Sequence, residues 1–192
     1  LYGANEDNTA IDRDNVWRKE LFVFNQNGDV SEYYTYEGNS QTPESKTIYT
    51  YNAEGDIVGE VEYDANRKLT KRTIYNYGPN NKAEELLVYD SVGELTQRAV
   101  YKYNADTNAK EQMLVYDGNG VLSQTFTYNA NGQKVENKCY SNGQLESSYV
   151  WEYDARGTVI YSCGYEHGEW GSSVTGCNKV TNIYDEAGNL VE

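Results

Sequence analysis

The sequence lacks the residues on which most enzymes and nucleic-acid-binding proteins depend. It contains one histidine, His167, and no Gly-x-Ser-x-Gly motif, which argues against histidine-based triads and zinc sites. Basic residues are also scarce, because 16 Lys and Arg stand against 30 Asp and Glu, giving a net charge of −14. Nucleic acids and anionic membrane surfaces select basic patches, so neither is an expected partner. We therefore expect a protein without catalytic activity and without a cofactor.

Long apolar segments are absent as well. No stretch approaches the roughly 18 consecutive apolar residues of a membrane-spanning helix, so membrane insertion is not expected. No signal peptide is visible. Because the chain begins at Leu1 without Met, we expect that a signal peptide has been removed.

Aliphatic and purely apolar aromatic residues are few. Only 38% of the residues are hydrophobic, and 20 Tyr stand against 3 Phe. Tyrosine combines an apolar ring with a polar hydroxyl, so it suits a sheet face that packs without becoming dry. We expect the rings to stack as cross-strand ladders, with each pair contributing roughly 0.2–1 kcal/mol. A thick aliphatic core is not expected.

A five-residue unit recurs along the chain: an aromatic residue, Asn or Asp, two variable residues and Gly. The Asn or Asp side chain can bond the backbone two residues on, and Gly adopts positive φ without steric cost, as a type I hairpin turn requires. Degenerate copies begin at Tyr63, where Arg67 replaces the glycine, and at Tyr140, which is one residue short. The intact copies begin at Phe24, Tyr51, Tyr89, Tyr116, Tyr128, Tyr153 and Tyr184.

The spacing of these turns predicts the fold. The anchor aromatics recur mostly every 12 to 15 residues or so, with apolar and polar residues alternating between them as in half-buried strands. We predict one all-β domain over residues 15–192, an antiparallel β-meander of about 13–14 strands in chain order. The sheet is expected to be a single layer, curled or open. Residues 1–14 lack the repeat and are expected to form a flexible lead-in.

Aromatic residues provide the candidate ligand-binding positions. Rows of exposed Tyr and Trp are typical of sugar-binding and protein-binding surfaces. Tyr149 and Trp151 alternate onto one strand face. A Gly-rich insertion over residues 164–176, expected to form a longer hairpin loop, interrupts the repeat and contains His167 and Trp170. Interruptions of a regular scaffold often carry function. A stripe across the sheet is predicted from Tyr49, Tyr75, Tyr101, Phe126 and Trp151. Cross-strand packing and a structural insertion are the alternative interpretations.

The cysteines allow one bridge. Cys163 and Cys177 flank the insertion, and antiparallel strands on either side would bring their Cα atoms to the roughly 4.4–6.8 Å of a disulfide. We predict that bridge, with Cys139 unpaired; three reduced thiols are the alternative. Cys163, His167 and Cys177 match the spacing of no common metal site, and the Asp and Asn residues that resemble calcium loops are explained by the turns. No metal is expected.

The pattern Tyr-Asp-x-x-Gly-x-Leu, present at Tyr89–Leu95 and Tyr184–Leu190, resembles the YD repeats of RHS and teneurin proteins. The resemblance covers most of residues 24–192. The chain is also similar to short, secreted, Tyr-rich β-repeat proteins of unknown function from Bacteroides-like gut bacteria. These resemblances imply a β-hairpin array, an extracellular, periplasmic or outer-envelope location, and a role in carbohydrate or cell-surface binding.

Three functions follow as hypotheses. The first is a non-catalytic, secreted or cell-envelope binding or adhesion module that recognises a glycan or a surface protein. The second is a structural scaffold or spacer without a ligand of its own. The third is a carboxylate-dependent glycoside hydrolase, because an acidic chain offers carboxylate pairs although the sequence singles none out.

Overall fold

The structure is a computed structural model that describes residues 17–79, 81–182, 184, 185 and 187. The predicted lead-in at residues 1–14 lies outside these residues. No helix able to cross a membrane occurs in the described part of the chain. The regular elements are the strands β1 (Arg18–Phe24), β2 (Val30–Glu37), β3 (Ser45–Tyr51), β4 (Ile57–Asp64), β5 (Leu69–Tyr77), β6 (Ala83–Asp90), β7 (Leu95–Tyr103), β8 (Lys110–Asp117), β9 (Leu122–Tyr128), β10 (Lys134–Ser141), β11 (Gln144–Tyr153), β12 (Val159–Gly168) and β13 (Gly171–Lys179).

The thirteen strands are antiparallel and pair in chain order, which confirms the predicted all-β meander. Two compact units are distinguished. Unit 1 contains the residues up to Ile74 together with Asp90–Gly93, and therefore β1 to β4 and most of β5. Unit 2 contains Tyr75–Tyr89 and the residues from Glu94 onward, and therefore the end of β5 and β6 to β13.

The repeated turn explains why the chain folds back at regular intervals. In the turn after β3, the Asn52 side-chain oxygen Oδ1 accepts hydrogen bonds from the backbone N–H groups of Glu54 (3.1 Å) and Asp56 (2.8 Å). Gly55 donates its N–H to the Asn52 carbonyl at 3.3 Å and adopts a φ of 91°. A β-bulge follows, because the register shifts between Thr50 and Tyr51. The local sequence alone therefore supplies the hydrogen bonds that close this hairpin.

Each unit is a single layer. Among the described residues, a strand contacts only the strands before and after it in the chain, and neither unit closes on itself. The buried side chains are correspondingly few and small: Thr35, Thr73, Ala99, Val115 and Cys163. As the low aliphatic content indicated, the described residues form no thick core, so both sheet faces are partly accessible to solvent.

One sequence-based expectation is wrong. The segment 164–176 is not a loop, since its residues belong to β12 and β13 and are joined by the tight turn Gly168–Gly171. Gly171 takes a φ of 124° in that turn. The glycine content suggested a loop, but Gly164 lies in a strand, where its lack of a side chain makes room for a neighbouring ring.

Candidate functional site

Strand register places a row of side chains on one face of unit 2. Directly opposed residues in antiparallel strands project to the same face, as do residues two positions apart on one strand. The row consists of residues that pair across β7 to β11, namely Tyr101, Met113, Phe126, Asn137 and Tyr149. Trp151 lies two residues beyond Tyr149 on β11 and therefore projects to the same face. We call this surface the aromatic face.

Lys110 bridges two tyrosines on this face. It is the first residue of β8, and its Nζ lies 3.9 Å from the ring centroid of Tyr128 on β9 and 6.0 Å from that of Tyr101 on β7. A cation over a ring contributes about 0.5–1 kcal/mol at such a partly exposed position. Burial raises the pKa of the Tyr101 and Tyr128 phenols above their ordinary value.

Lys134 repeats this arrangement two strands further along. It is the first residue of β10, and its Nζ lies 4.5 Å from the ring of Phe126 on β9 and 5.7 Å from that of Trp151 on β11. Between β7 and β11, lysine side chains therefore lie among the rings of the predicted stripe. Lys110 lies beside Tyr101, and Lys134 lies beside Phe126 and Trp151.

Tyr149 is the exposed ring of the aromatic face, and it contacts the half-buried Trp151. Their ring centroids are 4.9 Å apart with an interplanar angle of 39°, and Tyr149 is 37% exposed. Gly164, opposite Tyr149 on β12, permits this position, because a Cβ there would lie 3.0 Å from the Tyr149 ring atom Cε2. We call Phe126, Lys134, Tyr149 and Trp151 together the aromatic patch.

Polar side chains border the patch. Asn137 lies between Phe126 and Tyr149 in the row, and its Nδ2 donates a long 3.4 Å hydrogen bond to the carbonyl of Thr125. Ser162 lies opposite Trp151. The patch therefore offers flat apolar rings beside an amide, a hydroxyl and an ammonium group.

The other two candidate residues lie elsewhere. His167 projects from the face opposite to Tyr149, because its Nε2 contacts the Ser148 hydroxyl at 2.8 Å and Ser148 adjoins Tyr149 in β11. Its Nδ1 lies 2.6 Å from the Ser172 hydroxyl, so both ring nitrogens have partners. Trp170 is 95% exposed in the turn between β12 and β13. The structure thus brings Tyr149 and Trp151 together and separates them from His167 and Trp170.

The cysteines lie as direct cross-strand partners. Cys163 on β12 and Cys177 on β13 are joined by a disulfide with their Cα atoms 4.0 Å apart, and Cys163 is fully buried. Cys139 is unpaired and half-buried. No cluster of three or more His, Cys, Asp or Glu side chains suited to a metal ion occurs in the part of the chain that the structure describes.

Sequence reasoning missed the two bridging lysines. Lys110 and Lys134 each follow a hairpin turn and open an even-numbered strand whose two neighbours carry aromatic residues. That position is visible in the sequence as a basic residue at the start of a strand. Its role is not visible, because it depends on which rings the adjacent strands bring alongside.

Comparison with known proteins gives a likeness to solved structures only. No family model and no curated protein matches the chain, so the resemblance to YD repeats rests on the motif itself. The crystal structure of TcdB2-TccC3-TEV is 12% identical over 89% of this chain and 11% of that chain, with a TM-score of 0.38. The chain thus spans about a tenth of that protein's length. A porin-like protein from Bacteroides uniformis is 10% identical over 82% of this chain and 86% of its own, with a TM-score of 0.38. No function follows from likeness at this level.

Proposed function

We propose that this chain is a non-catalytic binding module that recognises a glycan through the aromatic patch. The observation that carries the proposal is the contact between Tyr149 and Trp151, with ring centroids 4.9 Å apart on an accessible sheet face. A buried structural pair would be covered by a second layer, but within unit 2 each described strand contacts only its neighbours in the sheet.

The chemistry of the patch suits a sugar. A pyranose ring has an apolar face of C–H groups that packs on aromatic rings, and a rim of hydroxyl groups that need hydrogen-bond partners. Tyr149 and Trp151 supply the rings. Asn137 and Ser162 lie beside them in the strand register, and Lys134 supplies a donor next to Trp151. Mixed aromatic and polar side chains of this kind fix both the position and the orientation of a ligand.

The setting that we propose for this module is the cell envelope or the outside of the cell. A disulfide between Cys163 and Cys177 supports an oxidising compartment, since reduced thiols prevail in the cytoplasm. The net charge of −14 is compatible with a surface that avoids nucleic acid. The resemblance to YD repeats supports the same setting.

Glycan arrays followed by calorimetric titration test the proposal. Tyr149→Ala and Trp151→Ala are each expected to weaken binding at least about tenfold, because stacked aromatic rings dominate such contacts. Trp170→Ala is the matched control, since Trp170 is 95% exposed in a turn outside the patch. Retention of full affinity by both patch variants would refute the glycan site.

A structural scaffold is the second candidate function. The observation in its favour is that Lys110 makes the same bridge between rings outside the patch, as a packing element would. Absence of reproducible binding in both glycan-array and pull-down screens would favour the scaffold. A protein partner that binds the wild-type chain but not the patch variants would support a binding module whose ligand is a protein.

A further inference from the structure

One turn of the repeat places an arginine where the others place glycine. Arg67 has a φ of 63°, in the left-handed region that L side chains seldom adopt. The remaining described non-glycine residues with positive φ are all asparagine, the residue that tolerates this conformation best. The corresponding position is held by Gly28, Gly55, Gly93, Gly120, Gly132 and Gly157. A strained residue kept at one turn alone suggests that its side chain has a role.

The Arg67 side chain borders a groove in unit 1. The floor is a row of opposed residues across β2, β3 and β4, namely Tyr34, Lys46 and Tyr63. The loop between β2 and β3 contributes Pro43 at the same end of the strands as the turn that carries Arg67. The groove holds about 450 Å³, within the roughly 300–1,000 Å³ of small-ligand sites. We call it the Arg67 groove.

One cation of the groove has no ion-pair partner among the described residues. Lys46 forms a 3.0 Å ion pair with Glu32 and lies 5.2 Å from the centroid of the Tyr34 ring. Asp64 also lines the groove as a carboxylate, and its Oδ1 is held in the turn by hydrogen bonds from the N–H groups of Asn66 and Lys68 at 2.9 Å each. The guanidinium of Arg67 makes no hydrogen bond or ion pair with any residue that the structure describes.

We infer that the Arg67 groove binds a saccharide that carries a carboxylate, of the uronic acid class. A guanidinium presents two parallel N–H donors that match a carboxylate, so Arg67 would hold the acid group. The Tyr34 and Tyr63 side chains and Pro43 give the groove apolar surface on which the C–H face of the same sugar ring can pack. In a chain of net charge −14, an unpaired arginine beside aromatic rings favours an anion with an apolar face over a bare ion.

The inference does not depend on the aromatic patch, since the groove belongs to unit 1 and the patch to unit 2. Its test uses Arg67→Gly in the full chain. This variant installs the residue that the other turns carry, so a loss of binding cannot be ascribed to misfolding. Lys68→Gln is the matched control, because it removes the same charge from the same turn but Lys68 does not line the groove.

Calorimetric titration with trigalacturonate, maltotriose and a terminally blocked tri-aspartate peptide distinguishes the possible ligands. The wild-type chain is expected to bind trigalacturonate, and Arg67→Gly to bind it at least about tenfold more weakly, as expected for loss of a charge-assisted hydrogen bond. Lys68→Gln should change the affinity by less than about twofold at physiological salt.

Three outcomes would overturn the inference. Unchanged affinity of Arg67→Gly would show that the arginine takes no part in binding. Equal affinity for maltotriose would show that the acid group is not recognised. Equal affinity for the tri-aspartate peptide would assign the groove to acidic protein segments.

Discussion

The hydroxyl of Tyr153 donates a 2.6 Å hydrogen bond to the carbonyl oxygen of Lys134. Tyr153 ends β11, and Lys134 opens the preceding strand, so the bond closes the open end of the hairpin formed by β10 and β11. The same bond joins Tyr51 to Val30 at 2.6 Å in the hairpin of β2 and β3. These contacts explain why the repeat uses tyrosine at positions where phenylalanine would pack equally well.

Tyr153→Phe is expected to lower the free energy of unfolding by about 1 kcal/mol, because the Lys134 carbonyl loses its side-chain donor. Tyr149→Phe is the control, since the Tyr149 hydroxyl makes no hydrogen bond within the described residues, and it should cost less than about 0.5 kcal/mol. Urea denaturation followed by tyrosine and tryptophan fluorescence measures both. Equal effects of the two substitutions would contradict the role assigned to the Tyr153 hydroxyl.

Arg67→Gly is expected to stabilise the protein by about 1 kcal/mol, because glycine adopts the left-handed conformation without the clash that Arg67 suffers. The reciprocal variant Gly55→Arg should be destabilised by about the same amount, since a Cβ at Gly55 meets nothing within 4 Å and only the φ of 91° opposes it. Urea midpoints of the two variants check the pair. A destabilised Arg67→Gly would mean that the arginine makes a stabilising contact of its own.

Asn52→Asp is expected to destabilise unit 1 by about 1 kcal/mol at pH 7. The Asn52 amide donates a 3.2 Å hydrogen bond to the Asp56 carboxylate, and the substitution replaces that donor with a second negative charge. Protonation of either carboxyl removes the repulsion, so the penalty should fade as the pH drops below about 4.

Asn129→Asp is the matched variant for this pH dependence. Its side-chain amide donates to the neutral Gln133 oxygen at 2.9 Å, so the substitution creates no pair of like charges. Urea midpoints from pH 3 to pH 7 should therefore separate the two variants at neutral pH and bring them together in acid. A constant difference across this range would rule out the electrostatic explanation.

Asp154 should titrate in unusually acidic solution. The Tyr184 hydroxyl donates a 2.6 Å hydrogen bond to Asp154 Oδ2, and this bond above all lowers the pKa of the carboxyl to about 2. A lowered pKa means that the stabilising contribution is complete above the unfolded value near 3.9 and is lost as the pH falls towards about 2. Carboxyl ¹³C chemical shifts report the titration directly.

Tyr184→Phe removes the donor and should raise the pKa of Asp154 towards its ordinary value. The backbone N–H groups of Arg156 and Thr158 still donate to Oδ1 at 2.9 Å in this variant, so the turn itself is retained. An unchanged titration of Asp154 in Tyr184→Phe would show that the tyrosine does not stabilise the carboxylate.

The disulfide is tested by intact-mass measurement after alkylation without reductant. One alkylated cysteine, mapped to Cys139, is expected, and three alkylated cysteines would end the prediction. The double variant with Cys163→Ser and Cys177→Ser should lose about 3 kcal/mol, the chain-entropy contribution for a bridge that closes 14 residues. Cys139→Ser serves as the control for the loss of a thiol without loss of a bridge.

The sequence by itself determined the strands and their order. In the turn after β4, for example, the Asp64 side chain accepts the N–H groups of Asn66 and Lys68, and these contacts span only four residues. Because most of the hairpins are closed by such local bonds, turn signals predicted the antiparallel meander without reference to the rest of the chain. Even the degenerate copy at Tyr63 forms its turn with these bonds, although Arg67 takes the left-handed conformation that glycine takes in the intact copies.

Only the tertiary structure decided which side chains meet. Trp151 and His167 were grouped as candidates, yet they lie on opposite sheet faces, because side chains alternate with a period of two and each bulge shifts the register by one residue. Gly164 was assigned to a loop, although it lies in a strand beneath the Tyr149 ring. The lysine that separates Phe126 from Trp151 comes from the strand between them. Such contacts depend on pairings between strands, which no local pattern encodes.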